Sequence, residues 1–173
     1  MIDLDDWPSA PVIRSRRLFL EPLRVDHAEE MAPLLEDPEL YAFTGGHPPT
    51  ADELRGRYRR QALGRSEDGS QRWLNWIVRL HEGGQAIGTM QATITAQGDG
   101  SVAAVAWVIA PRHQRRGYAR EAALAMAAWL AQQGGPVLVA DIHPRHDRSV
   151  GVARALGLTP TDEVIDGEIR WRG

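Results

Sequence analysis

Apolar positions recur with two different periods along the chain, and each period predicts a different kind of element. In the middle of the chain, three β-like runs are separated by the turn sequences HEGG and AQGDG. Glycine-containing turns of this length between apolar runs are typical of hairpins. Three neighbouring antiparallel strands are therefore predicted at Arg72–Leu80, Gln85–Thr95 and Ser101–Ala110.

From Gly117 onward the apolar period becomes helical. One apolar stripe predicts an amphipathic helix that ends at the sequence GGP, and the stripe consists of Ala119, Ala122, Ala123, Met126, Ala127 and Leu130. After this helix, the pattern predicts a buried strand at Val137–His143, a short helix at Ser149–Leu156 and a hairpin at Glu163–Trp171 that turns at Asp166–Gly167.

The N-terminal part of the chain predicts one strand, two helices and a loop. Asp26 precedes an acidic turn, which is typical of a helix start. Thr50 and Glu53 have the spacing of a capping box, in which each residue binds the backbone of the other. The predicted elements are a strand at Pro11–Leu23, a helix from Asp26 to Pro38, a loop at Tyr41–Thr50 and a helix from Ala51 to about Leu63.

This order of elements predicts one mixed α/β (α+β) domain over residues 1–173, with residues 1–11 as an N-terminal extension. A chain that is 43% hydrophobic and 25% charged has the composition of a globular protein. No apolar run reaches the roughly 18 residues of a membrane span, so no membrane partner is expected. The chain has no cysteine and its acidic N-terminus does not resemble a secretory signal, so we expect a cytoplasmic protein.

The charged residues exclude some chemistry. All 20 basic residues are arginine, so a Schiff-base lysine and the lysine of a P-loop are both excluded. The net charge of −3 argues against a nucleic-acid partner, although Arg55, Arg57, Arg59 and Arg60 form a basic run on a predicted helix. His143 and His146 lie near two aspartates, but Pro144 breaks helical geometry between them, and no metal is expected.

The densest positive charge lies in the sequence PRHQRRGYAREAA (Pro111–Ala123), where four arginines surround one glycine. This stretch follows a predicted strand and opens a predicted helix, whose first N–H groups lack partners and whose dipole favours an anion. Gly117 lets a ligand approach the backbone closely because it has no Cβ. The stretch therefore suits a phosphate or diphosphate, while a solvated arginine-rich helix start remains the alternative.

Two segments resemble the GNAT superfamily of acetyl-CoA-dependent N-acetyltransferases. The sequence QRRGYA (Gln114–Ala119) matches the superfamily signature Q/R-x-x-G-x-G/A. The later sequence IHPRHDRSVGVARALGL resembles the second cofactor segment, in which P-x-N-x-x-S precedes a helix and LGF. The resemblance extends from about Arg14 to the end of the chain and is greatest to the ribosomal-protein alanine acetyltransferase branch.

The resemblance implies a central, mostly antiparallel twisted sheet that is splayed at a cofactor slot and flanked by helices. It implies acetyl-CoA as co-substrate, with the slot between about Trp107 and the strand Val137–His143. Arg112 and Arg120 reach the adenosine 3′-phosphate or face solvent. The implied cofactor contacts are the pantetheine strand Trp107, Val108 and Ile109, the diphosphate loop Gln114, Arg115, Arg116, Gly117, Tyr118 and Ala119, and His146 of the second segment.

The sequence departs from the family pattern at three places. His146 replaces the asparagine of P-x-N-x-x-S, alanines in VAAVAW replace a glutamate that serves many relatives as a base, and no tyrosine follows Gly157. Ser149 matches the serine of the second segment, which makes it the candidate donor to the thiolate; the alternative role is a helix N-cap. His143 is the candidate base, or a structural histidine.

The implied reaction is direct attack of a primary amine on acetyl-CoA in a ternary complex. The acceptor is either an amine-bearing small molecule or a protein N-terminus, and loop Tyr41–Thr50 and the arginine-rich helix from Ala51 to about Leu63 are expected to form its wall. Glu163 and Glu168 give the final hairpin an acidic lip that suits a cationic amine, and the same hairpin can pair two subunits of a homodimer. The alternative function is a catalytically silent GNAT-fold module that binds CoA as a sensor.

Overall fold

Eight strands form one mixed sheet with four α-helices packed against it in the computed structural model, which describes residues 3–173. The strands are β1 (Ile13–Arg14), β2 (Leu18–Pro22), β3 (Gln71–Leu80), β4 (Ala86–Gln97), β5 (Gly100–Ile109), β6 (Val137–Ile142), β7 (Thr159–Ile165) and β8 (Glu168–Arg172). The helices are α1 (His27–Leu34), α2 (Ala51–Ala62), α3 (Tyr118–Gln132) and α4 (Asp147–Ala155). None of the helices of residues 3–173 is long and apolar enough to cross a membrane.

The sheet changes direction at one pair of strands. Its order is β1-β2-β3-β4-β5-β6-β8-β7, and every neighbouring pair is antiparallel except β5 and β6. The parallel pairing runs only from Val102 and Val137 to Ala104 and Val139, although both strands continue beyond it. The predicted mostly antiparallel sheet with a splay between these two strands is therefore confirmed.

Each face of the sheet carries its own layer of helices. On one face, α3 buries the stripe Ala122, Met126 and Leu130 against the strands. Small alanines on this helix allow its backbone to approach the sheet closely, which places its N-terminus beside the end of β5. On the other face, α1 and α2 pack around Ile77 and Val108.

Local sequence signals account for several element boundaries. Thr50 and Glu53 form the predicted capping box, with the Glu53 N–H donating to Thr50 Oγ1 (3.2 Å) and the Thr50 N–H donating to Glu53 Oε2 (2.8 Å). Asp166 (φ 50°) and Gly167 (φ 83°) form the predicted two-residue turn between β7 and β8. The three central strands are confirmed, within two residues at each boundary.

Two N-terminal predictions are wrong. The predicted single strand Pro11–Leu23 is a hairpin, because the chain turns at Ser15, whose N–H donates to the Leu18 carbonyl (2.8 Å). The first helix ends at Leu34, and Pro38 instead begins a 3₁₀ turn capped by Asp37 Oδ1, which accepts from the Glu39 N–H (2.9 Å).

The predicted N-terminal extension packs on the domain where it is described. Leu4 and Trp7 are buried in the cluster under α3, and the Trp76 indole N–H donates to the Pro11 carbonyl (2.7 Å). Met1 and Ile2 belong to the same prediction and lie outside the described residues.

Gly88 allows β4 to pass close to the last residues of β5. The register between β3 and β4 shifts at Val78 and Arg79, opposite this glycine. A Cβ on Gly88 would overlap the carbonyl oxygen of Val108 and would lie 2.9 Å from Ile109 Cδ1. The position of the β5 end, and with it the splay, therefore depends on a residue without a side chain.

We expect Gly88→Ala to destabilise the protein by about 1–3 kcal/mol, because an added methyl group must displace the backbone of β5. Gly151→Ala on the exposed face of α4 is the matched control, since its Cβ would meet no atom within 4 Å. The control should be neutral or more stable, as alanine is favoured in helices. Chemical denaturation of both variants measures the difference, and equal stabilities would contradict this account of Gly88.

Candidate active site

The loop between β5 and α3 presents a row of free backbone donors. A 3₁₀ turn at Pro111–His113 leads into two left-handed residues, Arg115 (φ 63°) and Gly117 (φ 77°), and α3 starts directly afterwards. Alternating backbone conformations of this kind form concave anion sites from successive N–H groups. Among the residues that the structure describes, no protein acceptor binds the backbone N–H of any residue from Arg115 to Arg120.

Gln114 differs from the rest of the loop. Its backbone N–H already donates to the Pro111 carbonyl (3.1 Å), so the free row begins one residue later than predicted. Its side-chain amide N–H donates to the Ile109 carbonyl (2.8 Å), and its side-chain oxygen accepts from Arg148 of α4. Gln114 thereby joins the end of β5 to α4 and brings the two predicted cofactor segments into contact.

The arginines of the loop face outward and are not neutralised. Arg115, Arg116 and Arg120 are exposed, and within residues 3–173 none of them pairs with a carboxylate. Arg112 instead donates from Nε to Nε2 of the buried His113 (3.2 Å). Burial, together with the charges of Arg112 and Arg116, lowers the pKa of His113, so this ring stays a neutral acceptor. The mouth of α3 is consequently a local positive patch on an acidic protein.

A carboxylate on α3 connects this loop to the N-terminal hairpin. Glu121 accepts from the Ser15 hydroxyl (2.7 Å), from the Arg17 backbone N–H (2.7 Å) and from Arg17 Nε (2.6 Å). Arg17 also donates to the carbonyl of Arg116 (2.9 Å), and its guanidinium lies over the Tyr118 ring, 4.6 Å from the centroid. This group, the Glu121 clamp, fixes the left-handed loop. Sequence analysis missed it because its members are about a hundred positions apart.

The splay exposes backbone edges beside the loop. Val108 directs its carbonyl towards β4, since a Cβ on Gly88 would overlap it, and its side chain packs on the α1–α2 layer. Residues alternate along a strand, so Trp107 and Ile109 direct their backbone groups to the opposite edge, towards the slot. The Ile109 carbonyl, which accepts from Gln114, agrees with this direction. The slot-facing groups are therefore those of Trp107 and Ile109 rather than of Val108.

The second cofactor segment lies at the open end of β6. The His146 ring caps α4, because its Nδ1 accepts from the Ser149 N–H (3.2 Å), and the predicted N-cap role of Ser149 is wrong. The capping side chain is therefore the His146 imidazole, whereas most helices are capped by a short polar side chain. Because His146 is the cap, α4 begins at Asp147, two residues before the predicted start at Ser149. Burial lowers the pKa of His146, and its neutral ring carries its proton on Nε2, 3.4 Å from Ser149 Oγ.

His143 directly follows β6, the strand that diverges from β5. Its Nδ1 accepts from the Arg145 N–H (3.2 Å), so a neutral ring carries its proton on Nε2 and acts there as a donor. Phe43 of the Tyr41–Thr50 loop lies against both histidine rings, with centroid distances of 5.2 Å to His143 and 4.6 Å to His146. No sequence pattern indicated this contact, which places the predicted acceptor loop next to the second segment.

A carboxylate of the final hairpin lies opposite His143. The β6–β8 register ends at Ile142 and Ile169, so the next cross-strand pair is His143 with Glu168. Burial and then the Asp141 charge raise the pKa of Glu168, which has no hydrogen-bond or ion-pair partner among the described residues. Asp141 forms a two-point ion pair with Arg170 (2.9 Å each), and Glu163 lies 3.4 Å from the same guanidinium.

The described residues hold no cluster of three or more histidine, aspartate or glutamate side chains placed to bind a metal ion. The chemistry available at the splay is therefore that of backbone donors, arginine, one unpaired carboxylate, two histidines and a serine hydroxyl.

Comparison with known protein families assigns the chain to one of them. The family whose description is acetyltransferase (GNAT) domain matches residues 17–159. This protein thus belongs to the GNAT acetyltransferase family, as the two cofactor segments implied. Comparison with curated proteins gives no significant match.

Solved structures share the fold. An acetyltransferase from Agrobacterium tumefaciens is 25% identical with a TM-score of 0.73, and the match covers 96% of each chain. RimL, a ribosomal L7/L12 alpha-N-protein acetyltransferase in complex with coenzyme A, is 14% identical with a TM-score of 0.73, covering 94% of this chain and 97% of that chain. The microcin C7 self-immunity acetyltransferase MccE, in complex with acetyl-CoA and AMP, is 11% identical with a TM-score of 0.74, covering 92% and 93%.

We expect Glu121→Gln to lower the free energy of unfolding by about 1–3 kcal/mol at neutral pH, because three charge-assisted hydrogen bonds are lost or weakened. Burial acts to raise the pKa of Glu121, but hydrogen bonds from Arg17 and Ser15 outweigh burial and hold this pKa below its ordinary value of 4.5. A carboxyl with a lowered pKa in the folded state stabilises above the unfolded-state pKa and loses this effect as pH falls.

The stability difference between wild type and Glu121→Gln should therefore shrink below about pH 4.5, the ordinary pKa. Urea denaturation at several pH values measures it, with exposed Glu36→Gln as the control that should change stability by less than about 0.5 kcal/mol. A difference that is independent of pH would contradict the clamp.

Proposed function

We propose that this protein is an acetyl-CoA-dependent N-acetyltransferase that moves an acetyl group to a primary amine by direct attack in a ternary complex. The observation that carries the proposal is the row of partnerless N–H groups from Arg115 to Arg120 beside the unpaired edge of β5. A diphosphate fits the first feature and a pantetheine arm fits the second. The RimL and MccE structures, which contain coenzyme A or acetyl-CoA, support this reading.

The chain's own residues hold and orient the two substrates. The backbone N–H groups of Arg115 to Arg120 bind the diphosphate with help from the helix dipole and from nearby guanidinium groups. The slot-facing groups of Trp107 and Ile109 pair with the amides of the pantetheine arm as an added strand would. When bound, acetyl-CoA supplies the acetyl thioester. Orientation of this kind provides several kcal/mol of the acceleration.

Proton transfer falls to the cluster around His143. We assign Glu168 as the base that takes the proton of the acceptor ammonium, since it is half-buried and unpaired and has a raised pKa. His143 donates from Nε2 and orients this carboxylate or the amine. Ser149 is the donor to the departing sulfur, because the His146 Nε2–H group is placed to donate to Ser149 Oγ and leaves the hydroxyl proton free to point away.

A second candidate function is CoA binding without transfer. Ala104 and Ala106 favour it, because they expose methyl groups on β5 in the region where many relatives carry the glutamate base. Release of thiol from acetyl-CoA in the presence of an amine panel discriminates the two functions. The proposal includes a small-molecule amine or a protein N-terminus as acceptor, a cytoplasmic location, and a homodimer through the final hairpin.

We expect Gly117→Ala to weaken coenzyme A binding by at least about tenfold, equivalent to about 1.4 kcal/mol. A Cβ at φ 77° strains the loop and disturbs the row of N–H groups. Gly83→Ala is the matched control, because its φ of 75° imposes the same strain in a hairpin turn away from the slot. Calorimetry with coenzyme A measures both variants, and equal weakening would contradict the proposed diphosphate site.

We expect Glu168→Gln to lower kcat by about a hundredfold with little change in KM for acetyl-CoA, because a general base is lost. Wild-type activity should fall as pH drops through the raised pKa of Glu168, and this acidic limb should disappear in the variant. The titratable neighbours of Glu168 are Asp141, His143 and Asp166, and all three residues are retained in the variant.

Glu163→Gln is the control for this prediction, because it removes a carboxylate from the same hairpin at a more exposed position beside Arg170. Its kcat and pH profile should match the wild type within about twofold. Loss of the acidic limb in both variants, or in neither, would exclude Glu168 as the base.

A further inference from the structure

A polar cleft of 620 Å³ separates helix α2 from the Tyr41–Thr50 loop. We call it the α2 cleft. One wall is a single face of the helix, formed by Glu53, Gly56, Arg57 and Arg60, while Leu54 and Tyr58 on the opposite face are buried in the core. A Cβ on Gly56 would meet no atom within 4 Å, so this glycine widens the cleft.

The arginines of α2 divide into paired and unpaired side chains. Arg55 forms ion pairs with Glu29 and Asp52 and does not line the cleft. Arg57 and Arg60 line the cleft, and within residues 3–173 neither has a carboxylate in ion-pair range. The acidic residue of the cleft, Glu53, is already engaged by the Thr50 N–H (2.8 Å) and lies 3.6 Å from His47 Nε2. Both guanidinium groups of this wall are thus without an ion-pair partner among the described residues, and the two of them outnumber the single carboxylate of the cleft.

The opposite wall adds neutral donors. Thr44, Gly45, Gly46 and His47 line it, with Gly45 (φ 71°) and Gly46 (φ 91°) in left-handed conformations that open the backbone to the cleft. Gly45 donates its N–H to the Tyr41 carbonyl (2.9 Å), whereas the N–H groups of Thr44, Gly46 and His47 bind no protein acceptor among the described residues. Donors therefore face the cleft from both sides.

The α2 cleft adjoins the residue that contacts the two histidines. Phe43, whose ring lies against His143 and His146, is followed directly by Thr44 of the cleft wall. We therefore place the α2 cleft beside the proposed transfer site, so that an amine which reaches His143 and Glu168 can extend a second group towards the cleft.

From this arrangement we propose that the α2 cleft binds an anionic group, a carboxylate or a phosphate monoester, and that the acceptor is an amine that carries such a group. The statement about the acceptor rests on the proposed N-acetyltransferase function, whereas the anion site itself does not. Guanidinium groups bind both anions through two parallel hydrogen bonds, so the chemistry of the cleft is common to the two.

The test uses the full chain saturated with coenzyme A and four probes in matched pairs. Alanine against alaninamide distinguishes a carboxylate, and phosphoethanolamine against ethanolamine distinguishes a phosphate. Binding is measured by ligand-observed NMR titration, and transfer is measured in parallel as thiol release from acetyl-CoA. The variants are Arg57→Ala with Arg60→Ala, and Arg59→Ala as the control, since Arg59 is an exposed, unpaired arginine of the same helix outside the cleft.

We expect at least one anionic probe to bind more than about tenfold tighter than its neutral partner, and the double variant to lose this preference while Arg59→Ala keeps it. Equal loss in the control, equal binding of both members of each pair, or no saturable binding of either anion would overturn the anion site. Anion binding that depends on Arg57 and Arg60 without any acetyl transfer would support the cleft and count against the proposed enzyme function. Acetyl transfer to the neutral amines alone would support the proposed enzyme function and count against the α2 cleft as an anion site.

Discussion

The separation of β5 from β6 is the constraint on which the rest of the structure depends. Two parallel strands that pair at three positions and then diverge leave backbone N–H and C=O groups unpaired in the middle of a sheet, where such groups are costly. The divergence is held from both sides: Gly88 lets β4 draw the end of β5 close, while β8 pairs with β6 through Ile142. These unpaired groups are the ones with which the proposed pantetheine arm would pair, and the loop with the free N–H groups follows directly after the end of β5.

The loop in turn depends on contacts that are distant in sequence. The left-handed conformation of Arg115 is unfavourable for a residue with a side chain, and the Glu121 clamp compensates by bonding Arg17 to both the helix and the Arg116 carbonyl. The hairpin turn at Ser15, which interrupts the predicted first strand, is what allows Ser15 and the Arg17 backbone to reach the same carboxylate. The N-terminal hairpin thus serves the site although none of its residues lies in the slot.

The features that could be predicted from the sequence are those fixed by neighbouring residues. The capping box at Thr50 and Glu53 and the turn at Asp166 and Gly167 are decided within four positions, and the three-strand meander is decided by a period of two. The splay came from family resemblance, because no local rule says where a strand pair separates, whereas the predicted phosphate loop was indicated first by its glycine, its arginines and the helix start and then by the same resemblance. The Glu121 clamp and the contact of Phe43 with two histidines require the tertiary fold. The His146 cap spans only three positions, and it was not predicted because an imidazole is not among the usual N-cap side chains.

The proposed cofactor side and the proposed acceptor side are built from different kinds of group. This difference explains why the cofactor side was easier to predict from the sequence. The cofactor side consists mainly of backbone groups, and a glycine with an adjoining helix start is enough to mark it. The proposed acceptor side consists of side chains from α2, the Tyr41–Thr50 loop and the final hairpin, with Arg57 and Arg60 proposed to bind one end of the acceptor and Glu168 the other. Opposite charges at the two ends match a molecule with an ammonium group at one end and an anion at the other. The proposed acceptor site therefore predicts discrimination among amines by the charge separation along the molecule, because an amine without an anionic group leaves Arg57 and Arg60 without an ion-pair partner.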